Sequence, residues 1–327
     1  AQFLVGGKSD ANKLSGYYLS PFLKSFGNNM NNGWYSTAEP LELGRFNISI
    51  GGVVSFIPEN EQSFILDPTE FSIVKTNGNA PVTLPTIFGE NAHPSGVNVQ
   101  YSNSLGSITY PLNVPAGTGY PYSPFPIAQL NVGLIKGTEA MVRFFPTIDY
   151  KGYKNNYFGF GLKHDIKQWI PFISKLPFDM SIAGAYTNSK LEVVGGPFLK
   201  AEAGVSDPNP MDISGQLLSY SSNAWNASLL ISKKLPVLTI FGGMIYSSSK
   251  TNFDLKGNYP ITVINNLAQK EIAYLSDPIA LEGTNNQFGI NAGLRIKLLF
   301  MAIVAEGVYS PNGYSSANAR LQFGLFN

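Results

Sequence analysis

The segment from Gln287 to Leu298 alternates without a break: Phe288, Ile290, Ala292, Leu294, Ile296 and Leu298 fall on one parity, Gln287, Gly289, Asn291, Gly293, Arg295 and Lys297 on the other. A strand collects those six apolar residues on one face and both cations on the opposite face, whereas a helix would scatter the cations around an oily cylinder. The same period of two recurs near the carboxyl end, where Ala317, Ala319, Leu321, Phe323 and Leu325 oppose Asn318, Arg320, Gln322 and Gly324. It recurs again where Phe46, Ile48, Ile50, Val54 and Phe56 oppose Arg45, Asn47, Ser49, Gly51 and Ser55. Segments 128–134, 157–163 and 225–231 repeat it, and 62–75, 138–148, 178–190, 236–248 and 300–310 follow it more weakly. One poorly patterned strand within 97–112 brings the count to about twelve, an even number as single-chain bacterial barrels require. A hairpin of Ile261–Ile264 with Glu271–Leu275, hidden in a loop, would raise it to fourteen.

Two stretches show helical spacing instead. Asp10 precedes Ala11, Leu14, Tyr17 and Tyr18, and Pro21 is expected to end that run. Asp165 and Gln168 are placed to cap a helix through Ile166, Trp169, Ile170, Ile173 and Leu176, which Pro171 should shorten.

Composition says what the alternating strands face. Only 13% of the 327 residues are charged, about half of the ~25% usual in soluble domains. Mean hydropathy is +0.01, and 22 Phe with 17 Tyr exclude a disordered chain. The longest apolar run, Leu298 to Ala305, is far short of the ~18 residues a spanning helix needs. A chain too apolar for water and without a spanning helix fits an all-β fold, an antiparallel transmembrane β-barrel of 12–14 strands, because only alternate residues face lipid. The apolar amino-terminal residues 1–42 are expected to fill the lumen as a plug, or to lie on the membrane as an amphipathic tail; residues 43–327 form the barrel. Such barrels have short periplasmic turns and long extracellular loops. With the last strand running toward the periplasm, the short connections near Leu299, Lys233–Leu235 and Lys136–Thr138 lie on that side, together with a short periplasmic helix after Asp165. The opposite face then carries loops 190–222 and 249–285, and the uncharged stretch 91–135 reads as an ordered loop over or into the barrel. The start Ala1-Gln2-Phe3 reads as an exported product with its signal peptide removed, which places the chain in the bacterial outer membrane among lipids that include lipopolysaccharide.

Candidate chemistry is sparse. A net charge of +1 without a basic run gives no reason to expect nucleic acid, and with no Cys and two His no multi-histidine or thiolate metal site can be built. Gly7-Lys8-Ser9 imitates the end of a phosphate-binding loop but lacks its first glycine. His164-Asp165 could activate Ser181 or Ser228 as a nucleophile, against the plainer reading of a strand end and a helix cap. Neither a catalytic function nor a cofactor is expected. By parity Arg45, Arg143, Lys163, Arg295, Lys297 and Arg320 point into the lumen with Glu306. Buried cations must be watered or paired, so the lumen is wet and positively biased, or acids such as Asp10, Glu39 or Glu42 of the plug complete the pairing, or these residues simply brace the plug.

The motifs Ser15-Gly16-Tyr17-Tyr18-Leu19-Ser20-Pro21-Phe22, Asn32-Gly33-Trp34-Tyr35-Ser36-Thr37-Ala38, Leu43-Gly44-Arg45-Phe46, Gly161-Leu162-Lys163-His164-Asp165-Ile166 and Leu176-Pro177-Phe178-Asp179 resemble an uncharacterised outer-membrane barrel family of Bacteroidota. That family is in turn distantly similar to the long-chain fatty-acid transporter (FadL-like) barrels, which have fourteen strands and an amino-terminal hatch in the lumen. One departure is the ending Leu325-Phe326-Asn327, where such barrels commonly end in an aromatic residue. The resemblance implies passive, porin-like transport of a small apolar or amphipathic molecule, held near Tyr17, Tyr18, Phe22 and Trp34. The alternative is a closed accessory barrel that docks other outer-membrane or surface proteins through loops 190–222 and 249–285.

Overall fold

A computed structural model of the chain describes every residue except 1, 2, 5, 6, 104, 105, 151, 172, 195–198, 266, 268 and 327. The expectations that rest on Ala1-Gln2 and on Asn327 therefore lie outside the described residues. The chain opens with a helix, α1 (Gly7–Asn31). Strands then follow in chain order: β1 (Phe46–Phe56), β2 (Ser63–Leu66), β3 (Val74–Thr76), β4 (Val82–Pro85), β5 (Val97–Asn103), β6 (Gly106–Pro111), β7 (Tyr122–Leu134), β8 (Thr138–Tyr150) and β9 (Tyr153–Asp165). The remainder are β10 (Asp179–Val193), β11 (Leu217–Lys234), β12 (Leu238–Lys256), β13 (Asn258–Ile264), β14 (Lys270–Ser276), β15 (Ile279–Leu298), β16 (Met301–Tyr309) and β17 (Ser316–Gly324).

Ten of these strands close an antiparallel barrel in the order β1-β17-β16-β15-β12-β11-β10-β9-β8-β7, and β7 returns to β1. The expected 12–14 strands are thus corrected to ten. Segments 62–75 and 97–112 supply β2, β3 and β5–β6, which pair as small sheets above the barrel, and the hairpin of 261–264 with 271–275 forms as β13–β14, also outside the wall. These segments alternate because their apolar faces pack on α1: Leu66, Phe71, Val74, Leu84, Val97 and Val99 enclose the buried Leu14. Loops 190–222 and 249–285 are shorter than expected, since β11, β12 and β15 run on into them.

Parity sorts the wall as the alternation requires. Ile290 and Leu294 are 55% and 47% exposed on the outside, while Asn291 and Arg295 between them are buried inside. A closed barrel with a continuous outward apolar face leaves no strand edge to solvate and spans a membrane. Among the described residues no helix is long and apolar enough to do so. The connections 135–137, 166–178, 235–237 and 299–300 lie at one end, the turn end. The opposite, loop end carries a cap built from the described residues of 57–121, 194–216 and 257–278.

The periplasmic helix after Asp165 is replaced by two single turns of 3-10 helix, Lys167–Trp169 and Ile173–Lys175, with Pro171 between them. Proline has no N–H to continue a ladder, which favours a break there. Asp165 Oδ1 still accepts the Lys167 amide at 2.8 Å. In α1 the opposite happens. Pro21 was expected to stop the helix, which instead continues ten residues beyond it to Asn31. An interior proline costs a helix ~3 kcal/mol, and tertiary packing on the barrel wall outweighs that penalty.

Where the β7–β8 ladder ends at Gln129 and Arg143, β7 carries Pro124 and Pro126, which have no amide to donate to β8. The Tyr157 hydroxyl closes this seam, accepting the Ala128 amide at 3.0 Å and donating to the Pro126 carbonyl at 3.3 Å.

Ala305 of β16 lies opposite Leu294 at the middle of the shortest part of the wall. Leu294→Lys is expected to lower stability in lipid by ~2–4 kcal/mol, the cost of a cation at the bilayer midplane, as read by urea titration in liposomes.

Candidate functional site: a bridged lumen under a loop cap

α1 enters the barrel from the loop end. Leu4 and Ala11 pack against Tyr259, Ile261 and Ile279 of the cap, while deeper in the lumen Asn28 Nδ2 donates to Ser55 Oγ and Asn29 Nδ2 to the Ser123 carbonyl. The helix lies close to the wall at Gly27, where a Cβ would fall 2.2 Å from Ser249 Oγ. After Asn31 the chain turns at Gly33, whose φ of +73° favours glycine, and descends extended to the turn end. There Leu41 N–H donates to Glu139 at 2.9 Å, and Arg45 pairs with Glu42 at 2.8 Å before β1 begins.

Three fully enclosed cations hold this descent. Arg143 donates from Nη1 and Nη2 to the carbonyls of Met30 (3.2 Å) and Asn32 (2.8 Å), and from Nε to Gln129 Oε1 (2.8 Å), with its guanidinium 4.0 Å over the Trp34 ring. Arg320 donates to the carbonyls of Gly33 and Tyr35 and lies 3.6 Å from Glu306. Lys163 donates to the Thr37 carbonyl at 3.1 Å and pairs with Glu139 at 3.0 Å. Backbone carbonyls thus take the place of missing carboxylates.

Polar bonds thus tie residues 30–37 to the inner wall of the barrel. Arg143, Lys163, Arg295, Arg320 and Glu306 are buried, while Arg45 and Lys297 are only partly buried near the turn end. Of the plug acids, Glu42 pairs with Arg45, and Glu39 pairs at 3.3 Å with Lys234, which is not among the cations expected in the lumen. Asp10 does not. Its carboxylate accepts the amides of Ser72, Ile73 and Val74 and pins the cap onto α1. Glu139, which sequence reasoning missed, shares odd parity with Arg143 on one strand, and that parity was the available signal.

The proposed ligand residues are occupied in packing. Trp34 donates to the Met30 carbonyl at 3.1 Å; Tyr17 stacks on Phe64 and donates to Glu70 at 2.8 Å; Tyr18 donates to the Ala116 carbonyl at 2.9 Å; Phe22 packs on Phe26 and Tyr220. Tyr17, Trp34 and Phe22 pack in three separate apolar clusters. The His164 hypothesis also fails on geometry. Nε2 accepts from the Trp169 indole at 2.9 Å and Nδ1 faces Thr138 Oγ1 at 2.9 Å, so neither ring nitrogen addresses Ser181 or Ser228. Lys8 of the phosphate-loop imitation lies in α1 and donates to the Ser276 carbonyl. Among the described residues no group of three His, Cys, Asp or Glu could hold a metal.

Concave surface exists outside the lumen. A groove of about 590 Å³ runs over Gly184 and Ala227 between Leu162, Ile182, Leu229 and Tyr246 on the lipid-facing wall. The cap carries a cleft of about 370 Å³ between Tyr101 and Tyr110 on one side and Pro260, Ile261, Thr262 and Ile264 on the other. Lys200, Glu202 and Lys270 line the same cleft; Glu202 bridges Lys270 at 3.0 Å and accepts from Thr262 Oγ1 at 2.8 Å. The Lys270 ammonium, then the Thr262 hydroxyl, hold the Glu202 carboxyl below its ordinary value of 4.5. No sequence signal points to this cleft, whose walls come from segments more than a hundred residues apart.

The chain matches, over residues 1–325, the family described as a family of unknown function, DUF6588. It belongs to that family. No curated protein sequence matches it. Among solved structures it is similar to Ail, the attachment invasion locus protein of Yersinia pestis, at 9% identity over 86% of this chain and 97% of that one, with a TM-score of 0.29. It is also similar to the translocator domain of the autotransporter NalP from Neisseria meningitidis, at 10% identity over 99% of each chain and a TM-score of 0.29. A triple mutant of Rhodopseudomonas blastica porin gives 7% identity, 86% and 99% coverage and a TM-score of 0.15. Scores this low carry no argument, and for this DUF6588 member the barrel rests on its own strand pairing.

Glu139→Gln leaves Lys163 buried without a carboxylate and is expected to cost ~3–5 kcal/mol. The double variant Glu139→Gln/Lys163→Met should recover most of the loss in the same urea titration. In the cap, Glu202 and likewise Glu70, held down first by the Lys13 ammonium and then by the Tyr17 hydroxyl, have lowered pKa values. Their stabilisation is fully present above the ordinary carboxylate range and is lost as pH falls below 4.5 through the folded-state values. Amide exchange in the cap should rise across that acidic window while exchange in the barrel strands stays unchanged.

Proposed function

We propose that this protein is a bacterial outer-membrane barrel, closed by its own amino-terminal segment, that works by presenting its loop cap to an external partner. The observation that carries this reading is the occupied lumen: Arg143, Arg320 and Lys163 donate to five successive or near-successive carbonyls between Met30 and Thr37. A solute crossing the barrel would have to displace that segment and strand the three cations. The cap cleft supports the reading further, because its tyrosine and proline walls beside an ion pair have the apolar lining with few polar groups typical of ligand sites. Passive transport of an apolar or amphipathic molecule is the competing reading and requires the plug to move. Kinship with Bacteroidota barrels and fatty-acid transporters is part of the proposal and rests on the motifs quoted above.

In planar bilayers the intact protein is expected to be electrically silent, and a variant lacking residues 1–40 to conduct. Conductance by the intact protein would overturn the closed reading in favour of transport. Native purification should retain a stoichiometric partner that Tyr101→Ala/Tyr110→Ala releases.

A further inference from the structure

We infer that the partner of the cap is an extended peptide segment with an acidic side chain, added as a strand along the outer edge of β13; the inference rests on the cap-docking reading above. β13 and β14 form a two-stranded sheet, and among the described residues no third strand pairs along β13. In an antiparallel pair, opposed residues alternate between exchanging both hydrogen bonds and exchanging none, and the second kind turn their N–H and C=O outward. Two observations fix which residues those are. Ile272, opposite Thr262, donates its amide to the Ser206 carbonyl at 2.8 Å, outside the hairpin. Pro260, opposite Tyr274, has no N–H to exchange. Thr262 and Pro260 are therefore turned outward, and by the period of two so is Ile264. Asn258, of the same parity, agrees: its carbonyl accepts from Gln216 Nε2 at 2.9 Å.

That edge opens on the cap cleft. Pro260, Ile261, Thr262 and Ile264, of both parities, line it, so the cleft meets β13 edge-on and not on one face. The stretch from Pro260 to Ile264 spans about 13 Å at ~3.3 Å per residue. It offers an incoming chain the carbonyls of Pro260, Thr262 and Ile264 and the amides of Thr262 and Ile264, and such a row of groups is a template for strand addition. Across the cleft, Tyr101 and Tyr110 form a wall for apolar side chains of the added strand. Charge selects among peptides. Glu202, the carboxylate that lines the cleft, is already held by Lys270 and by Thr262 Oγ1, whereas Lys200, exposed at the rim, pairs with no carboxylate among the described residues. An acidic side chain of the peptide supplies that partner. An oligosaccharide would also use the tyrosine faces and the lysine, but it has no regular row of amides and carbonyls to match the edge.

The test screens the full-length chain in detergent against a library of acetylated and amidated heptapeptides, alongside Thr262→Pro and Thr262→Val. Proline there removes the outward N–H and leaves the ladder to β14 whole, as Pro260 already does in the same strand. Peptides that bind wild type should be rich in Asp or Glu, and Thr262→Pro should weaken them about tenfold, the worth of roughly one hydrogen bond. Thr262→Val, which gives up the hydroxyl and keeps the N–H, should weaken them less. Methylating one amide at a time along a bound peptide should weaken it at alternate positions, as pairing along a single edge requires. Lys200→Met should erase the preference for acidic members. If Thr262→Pro disorders the hairpin, seen as lost amide protection in β14, the methylation series on wild type decides alone. The inference is overturned if no heptapeptide binds below about 1 mM, if Thr262→Pro binds as wild type or no worse than Thr262→Val, if methylation shows no alternation, or if a polygalacturonate oligomer binds where peptides do not. A natural partner released by Tyr101→Ala/Tyr110→Ala and kept by Thr262→Pro removes this inference and leaves the cap-docking reading in place. Absence of any retained partner, with conduction by the intact protein, removes that reading itself.

Discussion

The structure depends on how three buried cations are compensated inside a narrow barrel. Removing a charge from water costs several kcal/mol unless something of opposite polarity replaces the water. Among the described residues, Glu139 pairs with Lys163 and Glu306 with Arg320, while Arg143 donates to Gln129 and to carbonyls. The deficit is met by main-chain carbonyls of Met30, Asn32, Gly33, Tyr35 and Thr37, which are free because the helix ends at Asn31. The break of α1 after Asn31 and the turn at Gly33 are therefore requirements of the electrostatics. Cations in the wall dictate where the helix must stop, and the freed carbonyls fix the depth of the plug.

Above that level the logic changes. Toward the loop end the contacts between α1 and its surroundings become apolar, with Leu14 among Leu66, Val74 and Leu84, and Ala11 with Ile261 and Ile279. Asp10 joins the two regimes, since its carboxylate orders three cap amides while its helix packs apolar residues against the same cap. The molecule is a polar clasp below and an oily lid above, and Phe22, Phe26, Phe125 and Tyr220 form the aromatic layer between them.

The wall was legible because lipid and lumen are such different solvents that Leu294 and Arg295 cannot exchange places, and a period of two follows directly. The strand count was not, because alternation reports that one face is apolar without saying what covers it. Val97 and Val99 face a helix, yet they read like residues that face hydrocarbon. Pro21 misled for a related reason: local propensity is weighed against packing that sequence does not display. Parity correctly placed Arg143 and Arg320 inside, but their partners are carbonyls, which every residue carries and no pattern can single out.

The attachment of α1 to β1 has a consequence for the order of assembly. The 25-residue helix spans about 37 Å at ~1.5 Å per residue and is joined covalently to the wall through the turn end, while β1 must pair with both β7 and the last strand, β17. Closure therefore joins residues separated by nearly the whole chain, the slowest kind of contact to form. Trp34 is fully enclosed inside the ring, so the ladder that completes the wall is also the one that shuts the amino-terminal segment in.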